Sequence, residues 1–200
     1  MNSKSHIEAL FQRSITAKQE TLRTCVPVME RIANLFVQSI KSGGKLLFCG
    51  NGGSAADAQH LAAELLVRLR PKVNRRPISA MAMALDTSSL TACGNDYSFE
   101  EFFARGVVAL GRPGDVLVGI STSGKSPNIC RAFEAAKGNK MQNVGFLGCG
   151  GGPAQILCDE ALVVPSEETG RIQEVHITAG HAILEVVEDI LLAEEGLICL

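Results

Sequence analysis

Four hydroxyl side chains fall within six residues at Ser121-Thr122-Ser123-Gly124-Lys125-Ser126, after the run Asp115-Val116-Leu117-Val118-Gly119-Ile120 and before Pro127. A buried strand that ends in such a loop and opens a helix offers hydroxyl donors, unpaired first-turn amides and the favourable end of the helix dipole at one point. That combination suits a phosphate dianion. Lys125 either adds charge there or points to solvent. The same geometry makes Ser126 an N-cap ahead of Pro127 at the first helical position, and capping and phosphate binding are compatible. Spacing assigns no single hydroxyl its own role.

Three other junctions carry chemically capable residues. Gly50-Asn51-Gly52-Gly53-Ser54 follows the apolar run Lys45–Cys49. It is neither G-x-G-x-x-G nor a Walker loop, and it reads either as a close backbone approach to a ligand or as a tight turn capped by Ser54. His60 and Glu64, four apart on the helix that follows, share one face; the pair can ligate a metal, set an acid beside a base, or be an ordinary helical surface pair. In Arg171-Ile172-Gln173-Glu174-Val175-His176, followed by His181, Gln173 and His181 are eight residues apart. On a continuous helix that is about 12 Å of rise and about 80° of rotation. They meet at one small ligand by stretching toward it, from a frayed helix start, or from different subunits. His176 lies on another face from His181 and reads as structural.

These groups need a scaffold. The 200 residues suit one domain with a sizeable core, and 46% hydrophobic and 20% charged residues are ordinary for a globular chain. A net charge of −2 gives no nucleic-acid footprint, and no apolar run approaches the roughly 18 residues of a membrane span. MNSKSHIEALFQRS carries no apolar signal-peptide core, which points to the cytoplasm. Seven cysteines, at 25, 49, 93, 130, 149, 158 and 199, include no C-x-x-C and read as free thiols in a reducing compartment. Apolar residues spaced by three and four predict helix from Ile7 to Ser42, with Pro27 opening a second helix. Short apolar runs follow at Lys45–Cys49, Ile78–Ala84, Asp115–Ser121, Val144–Leu147 and Glu160–Pro165. Helical stretches lie between them at Ala55–Arg68, Ser98–Leu110 and Pro127–Lys137, and Ile172–Glu194 is amphipathic. Apolar strands alternating with helices predict an α/β fold with a parallel sheet covered on both faces and ligands at the strands' carboxyl ends.

Four segments together resemble a known family: CGNGGSAADAQHLAAEL at 49–65, CGNDYSFEEFFARGV at 93–107, GRPGDVLVGISTSGKSPN at 111–128 and RIQEVHITAGH at 171–181. The chain resembles the sugar isomerase (SIS) domain proteins, and among them the bacterial sedoheptulose 7-phosphate isomerases, or phosphoheptose isomerases, over nearly its whole length. The resemblance implies a three-layer α/β/α sandwich with a five-stranded parallel sheet. It implies a single SIS domain over 1–200, with residues 1–44 a helical segment used in oligomer packing and 45–200 the α/β core. It further implies a cytoplasmic homotetramer with sites between subunits. The reaction implied is conversion of sedoheptulose 7-phosphate to D-glycero-D-manno-heptose 7-phosphate, toward the heptose of lipopolysaccharide. By matching position, Ser121, Thr122, Ser123 and Ser126 would hold the phosphate, and Asn51, Gly52, Gly53, Asn95 and Asp96 would contact the sugar chain. Glu64 and His181 would be the acid/base pair, and His60, Glu64, Gln173 and His181 would match the family's zinc ligands. Gly170 stands where some members carry a polar or acidic side chain, and no role is carried over to it. The segment Pro71–Arg76 reads as a loop slightly longer than in relatives.

Aldose–ketose isomerisation moves a proton between adjacent carbons through an enediol, so it needs a base near both carbons and a group that shuttles protons between the oxygens. A carboxylate and an imidazole suffice. The alternative reading is a non-catalytic tetrameric SIS adaptor that binds the bacterial replication initiator. Such an adaptor would share the phosphate loop but has no need of the His60/Glu64/Gln173/His181 set. A sugar-phosphate-sensing regulator is a third reading, without a visible DNA-binding segment.

Overall fold

The computed structural model describes residues 2–83 and 86–195. The elements follow in the order α1 (Ser3–Lys41), β1 (Leu46–Gly50), α2 (Gly53–Leu66), β2 (Ala80–Ala82), α3 (Thr87–Asp96), a 3-10 turn (Phe99–Glu101), α4 (Phe102–Leu110), β3 (Val116–Ser121), α5 (Pro127–Gly138), β4 (Gln142–Leu147), α6 (Gly152–Gln155), β5 (Glu160–Val163) and α7 (Thr169–Glu195). The five strands form one sheet in the order β2-β1-β3-β4-β5, and every neighbouring pair is parallel.

The strands are near-continuous apolar runs because both faces are covered. On one face Leu46, Phe48, Val118 and Phe146 pack with Phe36 of α1, Leu61 and Leu65 of α2 and Ile183 and Val187 of α7. On the other, Leu47, Cys49, Leu117 and Leu147 pack with Phe103 and Val107 of α4 and Ile129 and Phe133 of α5. The result is the expected three-layer α/β/α sandwich on a five-stranded parallel sheet.

Four local expectations need correction. The N-terminal segment is one 39-residue helix with Pro27 inside it, not two helices. Buried positions Ala17, Thr21, Cys25, Ile32 and Phe36 keep a helical phase straight through the proline. Packing of that face therefore outweighs the backbone bond that proline cannot make. The run at Ile78–Ala84 forms a strand only over Ala80–Ala82, and Ala84 lies outside the described residues, as does Cys199. The helix expected over Ser98–Leu110 is a 3-10 turn followed by α4, and α3 before it has no counterpart in the sequence reading. The residue preceding α2 is Gly52, so Ser54 lies inside the helix, buried, rather than capping it.

Candidate active site

Strand order reverses between β1 and β3: the chain leaves β1 for β2 on one side and arrives at β3 on the other. The two loops singled out from sequence both sit at the carboxyl ends of these neighbours, with Gly50 paired to Ile120. In open parallel sheets this is the place where a crevice opens for a ligand.

The hydroxyl loop is built as the spacing implied. Ser121 ends β3, Ser126 precedes α5 as its N-cap, and Pro127 is at the first helical position. Ser126 makes no side-chain cap bond; its Oγ lies 3.2 Å from Ser121 Oγ. Ser123 Oγ accepts from the Lys125 amide at 3.1 Å, which folds the loop on itself. Ser121 is buried, Thr122, Ser123 and Ser126 are half-buried, and Lys125 is exposed. No carboxylate falls within this loop or the first turn of α5.

Asn51 does not hang free in the other loop. It exchanges two amide hydrogen bonds of 2.9 Å with Asn128 in the first turn of α5. This reciprocal pair stitches the two loops together, and Asn128 is buried. Gly53 begins α2 under the side chain of Gln173: a Cβ there would meet Gln173 Nε2 at 2.5 Å. The amide of Gln173 therefore occupies, beside the start of α2, the space a larger residue would fill.

Farther along the same two helices, His60, Glu64 and His181 come together. His60 Nε2 is 2.7 Å from His181 Nε2 and 3.2 Å from Glu64 Oε1, and one ligand atom from each residue lies within 4.8 Å of the others. The convergence depends on how closely α7 approaches α2. Gly180 allows it, since a Cβ there would stand 2.6 Å from Leu61 Cδ2. His181 follows immediately and is delivered to His60. Two imidazole nitrogens and a carboxylate oxygen are donors zinc takes, so the residues present fit that ion. Gln173, the fourth residue of the expected set, sits instead by Gly53, toward the start of both helices.

Asp57 belongs to the same face and was missed. It lies three residues before His60 and seven before Glu64, and its Oδ2 is buried with no hydrogen-bond partner. Burial raises its carboxyl above the usual range, against the pull of His60. The spacing Asp57-x-x-His60-x-x-x-Glu64 was the available signal. Asn128, also missed, carried no signal apart from its place after Pro127.

Asn95 and Asp96 are placed elsewhere. They end α3, are exposed, and bond to each other through Asn95 Nδ2 and Asp96 Oδ1 at 2.7 Å. Asp96 lines a cavity of about 850 Å³ with Met81, Met83, Tyr97 and Arg105, whose lining includes neither of the two loops nor the histidine cluster. His176 is fully buried and donates from Nε2 to the Leu147 carbonyl at 3.0 Å, so its structural reading holds.

The chain is similar to several known proteins. Residues 10–148 match the SIS domain family. The phosphoheptose isomerase of Roseiflexus sp. is 50% identical over 184 residues, covering 92% of each chain. Among solved structures, the phosphoheptose isomerase of Neisseria gonorrhoeae superposes with a TM-score of 0.89 at 43% identity, over 94% of this chain and 100% of that one. That of Francisella tularensis gives 0.90 at 37% identity, with 94% and 100% covered.

Proposed function

Because the chain belongs to the SIS-domain family, in its phosphoheptose isomerase branch, we propose that it interconverts sedoheptulose 7-phosphate and D-glycero-D-manno-heptose 7-phosphate for heptose biosynthesis, with the reacting groups on α2 and α7. The observation that carries the assignment of roles is the meeting of His60, Glu64 and His181 within 4.8 Å. A phosphate-binding adaptor would need only the hydroxyl loop, and kinship with isomerases over most of the chain sets that reading aside.

In this reading Ser121, Thr122, Ser123 and Ser126 hold the phosphate with the first amides of α5. Binding energy at that remote group orients the reacting carbons. Asn51, Gly52, Gly53 and Gln173 contact the sugar chain, and Asn95 and Asp96, which lie away from these groups within one chain, would reach it from a neighbouring subunit. The Glu64 carboxylate takes the proton from C1 of the ketose, and the C–H electron pair becomes the C1=C2 bond of the enediol. His181 protonates O2 and takes the O1 proton, while Glu64 returns its proton to C2, leaving the aldehyde at C1. Atoms and charge balance without a co-reactant. The residues that would hold zinc are His60, Glu64 and His181, with Gln173 the family's fourth ligand. A bound zinc would polarise the carbonyl oxygen and stabilise negative charge on the enediolate. Elemental analysis of purified protein is expected to find close to one zinc per chain; a metal-free sample with full turnover would remove zinc from the reaction.

In this reading the chain works as a homotetramer, packed in part through residues 1–44, and the exposed apolar residues of α1 favour association there. Ile7, Phe11, Ile15, Leu22 and Val26 of α1 are all exposed in the single chain. No described helix is long and apolar enough to cross a membrane, and the six described cysteines are free, which supports the cytoplasm as the place of work.

The decisive assay couples the purified protein to sedoheptulose 7-phosphate, with fructose 6-phosphate as control. Turnover of the former is expected; turnover of neither would revive the adaptor. Glu64→Gln is expected to lower kcat by about a thousandfold, within the range a general base contributes, and to leave phosphate binding intact. Near-normal turnover in the folded variant would strip Glu64 of its role as base.

A further inference from the structure

Arg75 lies in the segment between α2 and β2, and its side chain is only 4% exposed. Its Nε donates to Glu188 Oε1 at 2.6 Å. Its two terminal nitrogens go to backbone: Nη2 to the Glu64 carbonyl at 2.7 Å, and Nη1 to the Leu65 carbonyl at 2.9 Å and the Arg76 carbonyl at 3.1 Å. Glu188 is a residue of α7, 3% exposed, and its second oxygen accepts from Arg70 Nε at 2.5 Å.

The last carbonyls of a helix have no partners within it. Helix α2 has no basic residue in its last turn, so the donors arrive from outside. Arg75 takes two of these carbonyls: that of Leu65, which it shares with the Ile78 amide, and that of Glu64 itself. Its other hand holds α7 at Glu188, seven residues, or about two turns, past His181. A single guanidinium therefore ties the backbone of the carboxylate-bearing residue to the helix that carries the imidazole. A planar fork with fixed donor directions does this; a lysine ammonium does not. Burying such charges contributes little to stability compared with apolar residues of the same volume, so its presence beside the site asks for another reason.

We propose that Arg75 is a positioning residue: through the Glu64 carbonyl and Glu188 it fixes where Glu64 stands relative to His181. The inference rests on the reading of Glu64 as the base. Misplacement by about 1 Å of a reacting group costs on the order of a hundredfold in rate, so a positioning residue acts on turnover rather than on substrate affinity.

Arg75→Lys keeps the charge beside Glu188 and loses the fork. Its kcat on sedoheptulose 7-phosphate is expected to fall by about ten- to a hundredfold, with KM and the affinity for inorganic phosphate within about twofold of the parent. In a Glu64→Gln background the same substitution is expected to cost less than about twofold, because the group it positions is gone. A parental kcat in the folded Arg75→Lys protein overturns the proposal. So does a loss that simply multiplies in the Glu64→Gln background, or a fall in phosphate affinity equal to that in kcat, since each marks general loosening. Should Arg75→Lys not fold, Glu188→Gln carries the test: it keeps the fork's carbonyl bonds and weakens the anchor, and an unchanged kcat there overturns the proposal. Near-normal turnover of Glu64→Gln alone is a separate result, which removes the base and the proposal with it; a dead Glu64→Gln beside a fully active Arg75→Lys sinks the positioning role only.

Discussion

His176 stands with no second partner in the core behind β4. Its Nε2 bonds the Leu147 carbonyl, its Nδ1 has none, and Phe146 lies 5.9 Å away between ring centroids. Burial pushes its pKa down to about 4, with the Leu147 bond opposing. The folded ring is therefore neutral at pH 7, whereas the unfolded ring takes a proton near 6.5. As pH falls below about 6.5 the unfolded chain binds a proton that the folded chain refuses, and stability drops until about pH 4. The loss across that window is about 3 kcal/mol, and above it His176 contributes no pH dependence. Urea unfolding at pH 7.5, 6 and 5 is expected to show this slope in the parent and a shallower one in His176→Gln. Equal slopes would contradict it. At this scale the sequence revealed residues whose neighbours lie along one helix. His60 and Glu64 are four apart, so one periodicity places them together. His181 reaches them only because Gly180 lets α7 touch Leu61, a tertiary fact that spacing does not contain. Arg75 gave no signal at all: it sits in a loop that reads as surface, and its burial depends on Glu188, 113 residues away.

Strands were the clearest elements because a sheet covered on both faces writes itself as short apolar runs, each punctuated by Gly, Ser or Pro. Helix α3 was invisible for the opposite reason. Thr87–Asp96 buries only Cys93, so it has no apolar stripe to detect; what starts it is Asp86, whose carboxylate accepts from the amides of Ser88 and Ser89. In α1 the proline was misleading, since a helix interrupted by Pro is normally two helices. Here Arg23 lacks the backbone amide four residues on, and the cost is absorbed by packing on both sides: Cys25 Sγ reaches the Val163 carbonyl at 3.6 Å, and Ile32 and Phe36 are fully buried. Pro27→Ala restores the missing donor. An interior proline costs about 3 kcal/mol relative to alanine, and about 1 kcal/mol of that is returned through the freer unfolded chain. The variant is expected to be more stable by about 1–2 kcal/mol, seen as a rise of a few degrees in Tm under matched conditions. A lower Tm would mean that the proline sets a bend on which the packing of α1 depends.

For the molecule as a whole, the core stops short of the start of α1. Ala17 is the first buried residue of the helix, and residues 3–16 extend past the core, held where Arg171 Nη1 donates to the Leu10 carbonyl and Arg13 pairs with Glu168 at 3.2 Å. Along this stretch and beyond, Ile7, Phe11, Ile15, Leu22 and Val26 fall within an arc of about 100° around the axis. Phe11 is 69% and Leu22 70% exposed. A continuous apolar stripe of this kind is the mark of an association surface. In the proposed tetramer the α1 segments of neighbouring chains would cover one another about a two-fold axis. The same helix packs on α7 through its buried face, so a contact that orders α1 also steadies the helix bearing Gln173 and His181. Light scattering is expected to give a mass four times the 21.2 kDa of one chain. Leu22→Glu leaves the fold of the single chain untouched, because the side chain meets solvent there, but it would place a charge within the stripe. It is expected to shift the protein to smaller species with unchanged helix content and to lower kcat by at least about tenfold, since a carboxylate in an apolar contact is strongly disfavoured. A parent that runs as a monomer, or a dissociated variant that keeps full turnover, would break the link between assembly and catalysis.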